Sequence, residues 1–182
     1  MSTVSRWCRD IEPPPGPRVR TGRRCATHPA RTEAALDTAR ALHDARELVG
    51  RMSDRDLLFY GIGLYHGEGA KSQGVRMANT SPAVLLAFVT WLRRFFDIDE
   101  QRLRARLSLH SGQDLEAATI FWSELLDIPP TAFQAPHRPD PRPGQIDKHP
   151  HGCASVIYSS APLHRRVMAL IEAVSSSVAD PG

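Results

Sequence analysis

An acidic side chain, Glu68, stands near the end of the segment GIGLYHGEG at residues 61–69, which overlaps the last part of a predicted helix over residues 54–66. A carboxylate at the C-terminal end of a helix faces the negative end of the helix dipole, so a cation beside it is stabilising. If two such helices lay side by side, a divalent ion would neutralise the two Glu68 carboxylates and activate water against a phosphodiester. These residues therefore allow a Mg²⁺ site, and the alternative is a solvated acid at a helix end.

Three glycines, Gly61, Gly63 and Gly67, interrupt this otherwise good helix. Each costs up to about 1 kcal/mol relative to alanine, so a compensating contact is expected. Gly63 and Gly67 share one helix face, which lets another backbone approach closely, as a helix crossing a second copy of itself requires. We therefore predict a homodimer interface at Gly63 and Gly67. The alternative is that Gly67 or Gly69 only ends the helix.

Basic and apolar residues alternate in the segment RLRARLSLH at residues 102–110. The alternation predicts a strand with an apolar back and a basic front. The front carries Arg102, Arg104, Arg106 and His110, with no acid between them. Arginines in such a row would contact the phosphates of DNA, and a bidentate arginine could read a guanine. The alternative is an ordinary solvent-facing strand.

The other elements are predicted from periodicity and from the residues at their ends. Ser53 and Asp56 match the capping-box pattern at the start of the glycine-containing helix, and Pro82 suits the first turn of an apolar helix that runs to Phe96. Strands are predicted over 75–79 and 151–160, and helices over 114–126 and 162–174. The segment 129–150 contains seven prolines and is predicted to be a loop. The chain is therefore predicted to be an α+β protein.

The segment GIGLYHGEG resembles the signature of the LAGLIDADG homing endonucleases. The matches are Gly63, Leu64, Glu68 and Gly69, with small Gly67 where that family also has a small residue. The resemblance implies an αββαββα domain over residues 51–176 with an antiparallel sheet, a two-fold interface between motif helices, and double-stranded DNA as the partner. It also implies that Glu68 binds the catalytic Mg²⁺, with Lys71 as a second catalytic residue. The implied DNA-binding residues are Lys71, Arg76, Arg102, Arg104, Arg106 and His110.

Two features depart from the LAGLIDADG pattern. Only eleven residues, 70–80, separate the motif from the next helix, too few for the long first hairpin of the endonucleases. The predicted helix over 114–126 and the proline-rich segment also separate strands that the family joins tightly. Both departures favour DNA binding over cleavage, as in certain bacterial transcription regulators that resemble these endonucleases in fold and lack their chemistry.

The N-terminal residues are basic. Residues 1–11 resemble the end of a recognition helix from a resolvase-type helix-turn-helix, which would place Arg6 and Arg9 on DNA. A proline- and arginine-rich linker is predicted over 12–31, a helix over 32–50 and a disordered tail over 177–182. Residues 1–31 carry seven arginines and two acids, a local charge of +5, so the rest of the chain sums to −2 in a total of +3. Any further nucleic-acid surface must therefore come from local clustering.

Cysteines and apolar runs indicate the compartment. Cys8, Cys25 and Cys153 are odd in number and form no CxxC pair, so free thiols are expected. No apolar run approaches the roughly 18 residues of a membrane span, and no signal-peptide pattern is visible. We therefore expect a cytoplasmic protein with no membrane partner.

Three histidines, His137, His149 and His151, lie in or beside the proline-rich segment. Their irregular spacing favours solvated side chains or phosphate neighbours over zinc ligands.

Three hypotheses follow for the whole chain: a Mg²⁺-dependent DNA endonuclease, a DNA-binding regulator without cleavage, and a domain that binds protein or a small ligand.

Overall fold

A computed structural model of the chain describes residues 29–72, 74–110, 112–138 and 149–179. The chain divides into two compact units, residues 1–50 and 51–182. The first unit contains one described helix, α1 (Pro29–Val49), whose side chains from Thr32 onward are all exposed. The helix predicted over 32–50 is observed, whereas the predicted recognition-helix segment and nearly all of the predicted linker lie outside the described residues.

The second unit contains four helices and four strands in the order α2, β1, α3, β2, α4, β3, β4 and α5. Their bounds are α2 Asp54–Glu68, β1 Val75–Asn79, α3 Pro82–Phe95, β2 Leu103–Ser108, α4 Leu115–Leu126, β3 Phe133–His137, β4 Cys153–Tyr158 and α5 Ala161–Ala179. These elements confirm the predicted α+β class. Because α5 continues to Ala179, the first part of the predicted C-terminal tail is helical.

Helix α2 begins where the capping pattern predicts. The Ser53 hydroxyl accepts a hydrogen bond from the Asp56 N–H at 3.2 Å, and the Asp56 carboxylate accepts one from the Ser53 N–H at 2.8 Å. This reciprocal pair satisfies two N–H groups that would otherwise lack partners at the helix start. The Ser53 hydroxyl also donates a hydrogen bond to the Asp56 carboxylate at 2.6 Å, and this bond, together with the one from the Ser53 N–H, lowers the pKa of Asp56.

The four strands form one mixed sheet in the order β1, β4, β2, β3. Strand β4 is antiparallel to both β1 and β2, whereas β3 runs parallel to β2. Parallel neighbours need a crossover connection, and α4 lies in the segment that joins β2 to β3. Helices also separate β1 from β2, so the observed order of elements differs from the αββαββα order that the resemblance implies.

Two expectations about the sheet are wrong. The segment 129–150 was expected to be a loop, yet it contains β3, and the sheet was expected to be antiparallel, yet β3 makes it mixed. Pro136 explains why the proline content was misleading. It lies in the last strand of the sheet, where the described residues place no strand on one backbone side and a missing N–H group is tolerated.

The core lies between one face of the sheet and the helices. Alternate strand residues point into it, as the burial of Leu103, Ala105 and Leu107 on β2 shows, and α3 contributes Phe88 and Trp91, both 0% exposed. Strand β2 is therefore oriented as predicted, with its apolar side facing the core and its basic side facing outward. Within the described residues, no helix combines the length and the apolar character needed to cross a membrane.

Candidate nucleic-acid interface

The outward face of the sheet is defined by the register of its strands. One row across the sheet consists of Arg76, Ile157 and Arg104, a second of Ala78, Ser155, Arg106 and Gln134, and a third of Cys153, Ser108 and His137. We call these ten residues the open face. Arginines from β1 and β2 therefore share one surface, although 28 residues separate Arg76 from Arg104 in the chain.

The arginines of the open face have no carboxylate partners in the described part of the chain. The ion pairs found there are Arg40 with Asp37, Arg93 with Glu100 and Arg94 with Asp54. Backbone carbonyls orient two of the open-face guanidinium groups. Arg104 donates to the Leu103 carbonyl at 3.0 Å, and Arg106 donates through Nε to the Ala135 carbonyl at 3.1 Å. Both groups keep further N–H donors and a full positive charge for a ligand.

Two members of the predicted basic row lie beyond the open face. Arg102 belongs to the 3₁₀ turn before β2, where its guanidinium lies 5.2 Å from the centre of the Tyr158 ring and donates to the Ser159 carbonyl. His110 follows the end of β2 and is half-buried, and its Nδ1 has no hydrogen-bond partner among the described residues. The structure thus brings Arg104 and Arg106 together with Arg76, and places Arg102 and His110 at the two ends of β2.

Sequence reasoning did not assign Gln134, Ser155 or His137 to this surface. The outward position of Ser155 could have been predicted, because buried and less buried residues alternate along the segment CASVIY of β4 at residues 153–158. Gln134 and His137 depend on β3, which the proline count concealed. Their place on the open face follows from the pairing of β3 with β2.

Glu68 is the last residue of α2, and its side chain is exposed. The Asn79 amide donates a hydrogen bond to the Glu68 carboxylate at 3.3 Å, while the Asn79 carbonyl oxygen accepts one from the Ser81 N–H at 2.8 Å. Asn79 therefore presents a donor, not a metal-binding oxygen, to Glu68.

Lys71 folds back onto the end of the same helix. Its Nζ donates to the carbonyls of Tyr65, His66 and Gly69 at 2.9, 2.6 and 2.9 Å. These are carbonyls at the helix end, which need partners and carry the negative end of the helix dipole. Lys71 thus supplies a positive charge at the C-terminal end of α2.

Among the described residues there is no group of three His, Cys, Asp or Glu side chains that could hold a metal. Mg²⁺ is usually bound through one or two carboxylates together with waters or substrate phosphates, so Mg²⁺ binding at Glu68, whose carboxylate accepts the hydrogen bond from Asn79, stays a prediction. Of the three histidines beside the proline-rich segment, His151 stacks on Phe121, with ring centres 3.8 Å apart, and His137 lies on the open face.

The glycines of α2 have different surroundings. A Cβ at Gly61 would overlap the Cγ and Cδ1 atoms of the buried Trp91 ring, so Gly61 is the position where glycine permits close packing inside the chain. At Gly63 and Gly67 a Cβ would meet nothing within 4 Å. The aromatic side chains beside them, Phe59 and Tyr60, are 42% and 47% exposed. This face of α2 is therefore uncovered in the described part of the chain, as a seam between two copies requires.

Arg6 and Arg9, the predicted contacts of the N-terminal segment, lie outside the described residues. Comparison of the chain with protein-family models, with curated proteins and with solved structures gives no match. The likeness to LAGLIDADG proteins thus depends on the residues of the motif alone.

Proposed function

We propose that the chain binds double-stranded DNA with the open face of its sheet. The observation that carries the proposal is the grouping of Arg76, Arg104 and Arg106, none paired with a carboxylate of the described residues, on a surface whose ten residues include no acid. Arginine binds phosphate oxygens through charge-assisted hydrogen bonds, and phosphate contacts supply most of the affinity for DNA. Unneutralised arginines that are already oriented by carbonyls suit that role.

The composition of the open face favours a duplex over a single strand. Proteins that bind single strands stack the bases on aromatic side chains. No Phe, Tyr or Trp side chain belongs to the ten described residues of the open face. Because β4 lies between β1 and β2, Arg76 and Arg104 are about 10 Å apart at the backbone, comparable with the roughly 12 Å width of the major groove. This spacing suits contacts with phosphates on both sides of one groove.

The proposed active form is a homodimer in which the uncovered face of α2 meets its copy. Gly63 and Gly67 would let the two helix backbones approach, and Phe59 and Tyr60 would supply the apolar contact area. A dimer doubles the number of open-face arginines available to one duplex, which steepens the dependence of DNA affinity on salt.

Binding without cleavage, as in a DNA-binding regulator, is the form of the proposal that the site supports. Lys71 is held by the end of α2, and the Glu68 carboxylate accepts a hydrogen bond from the Asn79 amide. The second candidate is Mg²⁺-dependent cleavage, which the exposure of Glu68 at the end of a dimer-forming helix favours. Supercoiled plasmid incubated with the full chain and Mg²⁺ or Mn²⁺ separates the two. We expect retention of the duplex without nicking. Specific nicking that Glu68→Gln abolishes would establish the endonuclease instead.

DNA binding itself is tested with a random duplex library over a range of salt concentrations. Arg76→Ala and Arg104→Ala should each weaken binding to all sequences alike and reduce the salt slope by about one. Arg165→Ala removes the same charge from an exposed position on α5 and should leave both quantities unchanged. If the open-face variants, shown to be folded by their unfolding curves, bind as tightly and with the same slope as the wild type, the sheet does not bind DNA. A domain for protein or a small ligand would then be favoured.

A further inference from the structure

A depression of about 290 Å³ lies in the open face, between β1 and β3. Arg76, Arg106 and His137 stand around it, one from each of three strands. The rest of its lining, which we call the floor, consists of Ala78, Leu107, Ser108, Cys153, Ser155 and Ile157. The depression thus combines a rim of basic groups with a floor that leaves space above it.

Every polar side chain that lines the depression can donate a hydrogen bond. The rim offers two guanidinium groups and an imidazole, the serine hydroxyls of the floor add neutral donors, and none of the described carboxylates lines the depression. The Ala135 carbonyl holds Nε of Arg106, which leaves the terminal N–H groups of that side chain for a ligand. A tetrahedral oxyanion has the charge and the acceptors that such a set of donors requires.

We propose that this depression binds one phosphate group and that protonated His137 supplies the third positive charge, so that binding strengthens as the pH falls. The phosphate site rests on the proposed function in one respect, the source of the phosphate. If the chain binds DNA, that source is the DNA backbone. A free phosphate ion has the same chemistry.

The groups that face His137 make its protonation depend on the ligand. Arg106 lies on the neighbouring strand β2, Arg76 faces the depression from β1, Cys153 lies opposite on β4, and His110 follows the end of β2. Burial raises the pKa of the Cys153 thiol, so it stays neutral. A phosphate group bound among these residues places negative charge beside the imidazole of His137. By thermodynamic linkage, phosphate binding and proton uptake each favour the other.

The first test measures binding of a mixed-sequence duplex to the full chain at about pH 6 and about pH 8, which span the titration of histidine side chains. The wild type should bind about fivefold more tightly at the lower pH, as expected for one added contact between exposed charges. His137→Gln should lose most of this difference. His43→Gln, an exposed histidine on α1, is the matched control and should behave as the wild type.

The second test uses inorganic phosphate in place of DNA and measures the melting temperature of the full chain against chloride at equal ionic strength. Phosphate should raise the melting temperature of the wild type, more so at the lower pH, because a ligand that binds the native state stabilises it. The rise should shrink in both His137→Gln and Arg106→Gln. A phosphate-induced rise in melting temperature that depends on His137, without any duplex binding, would support the phosphate site and overturn the proposed function. Duplex binding that depends on His137 without a phosphate-induced rise would assign the site to polymer phosphates.

The inference fails if His137→Gln keeps the wild-type dependence on pH in duplex binding and the wild-type response to phosphate. A melting temperature of His137→Gln close to that of the wild type without ligand shows that the variant is folded. The Arg106→Gln variant gives a second, independent reading of the same depression.

Discussion

Gly61 and Gly63 lie two residues apart in α2, and replacing each of them by alanine should change the free energy of unfolding in opposite directions. Alanine is favoured over glycine inside a helix by about 1 kcal/mol. A Cβ at Gly63 meets no atom within 4 Å, so Gly63→Ala should stabilise the folded chain by about that amount.

At Gly61 the same gain is opposed by overlap with Trp91. The Trp91 ring is fully buried and contacts Phe96 edge-on, with ring centres 5.0 Å apart, and it also packs beside Phe88 and Tyr65. Because the ring has no free space to move into, the cost should lie at the upper end of overpacking, about 3 kcal/mol. Gly61→Ala should therefore destabilise the chain by about 2 kcal/mol, and the two variants should differ by about 3 kcal/mol.

Urea unfolding at one low protein concentration measures this difference. With a slope of about 2 kcal/mol per molar urea, the two midpoints should lie about 1.5 M apart, on either side of the wild type. Equal stabilisation by both variants would refute the packing of Trp91 against α2. The same proteins at higher concentration test the seam. Gly63→Ala should lower the dimer fraction measured by light scattering, and an unchanged fraction would refute a close approach of helices at Gly63.

The remaining predictions concern the two ends of α2. Ser53→Ala should cost about 1 kcal/mol, the usual loss for a serine N-cap. Because the hydrogen bonds from Ser53 lower the pKa of Asp56, that carboxylate adds stability that is present above its unfolded pKa and is lost as the pH falls below about 4. The difference in free energy of unfolding between the wild type and Ser53→Ala should therefore be smaller at acid pH than at neutral pH. An equal difference at both pH values would contradict this. Lys71→Met should cost about 1 kcal/mol by removing the donor to three carbonyls. Lost DNA binding at unchanged stability would instead assign Lys71 to the ligand.

The start of α2 and the orientation of β2 were predictable because both depend on neighbours in sequence. The capping pair Ser53 and Asp56 is three residues apart, and the alternation along residues 103–108 fixes which side chains point inward. The same local rules predicted α3, whose apolar residues recur at helical spacing after Pro82.

The contacts that decide the candidate site join residues that local patterns do not connect. The close approach that Gly61 allows involves Trp91, thirty residues later, and only the fold shows that Gly63 faces away from the core. Lys71 was predicted to act on DNA from its place after the motif, but a long flexible side chain reaches whichever acceptors the local backbone presents. Gln134 and His137 join the arginines only through the parallel pairing of β3, which no local pattern specifies.

Pro136 has a consequence for how copies of this chain can associate. A strand at the border of a sheet presents unpaired backbone groups, which invite another chain to extend the sheet and begin aggregation. Strand β3 is short and lacks one N–H group at Pro136, so growth on that side is hindered. On the other side, Gly69 bridges to Met77 and the Ala70 N–H donates to the Arg76 carbonyl at 2.8 Å, which occupies part of the border of β1. Both borders of the sheet are thus partly blocked against extension by a strand of another chain.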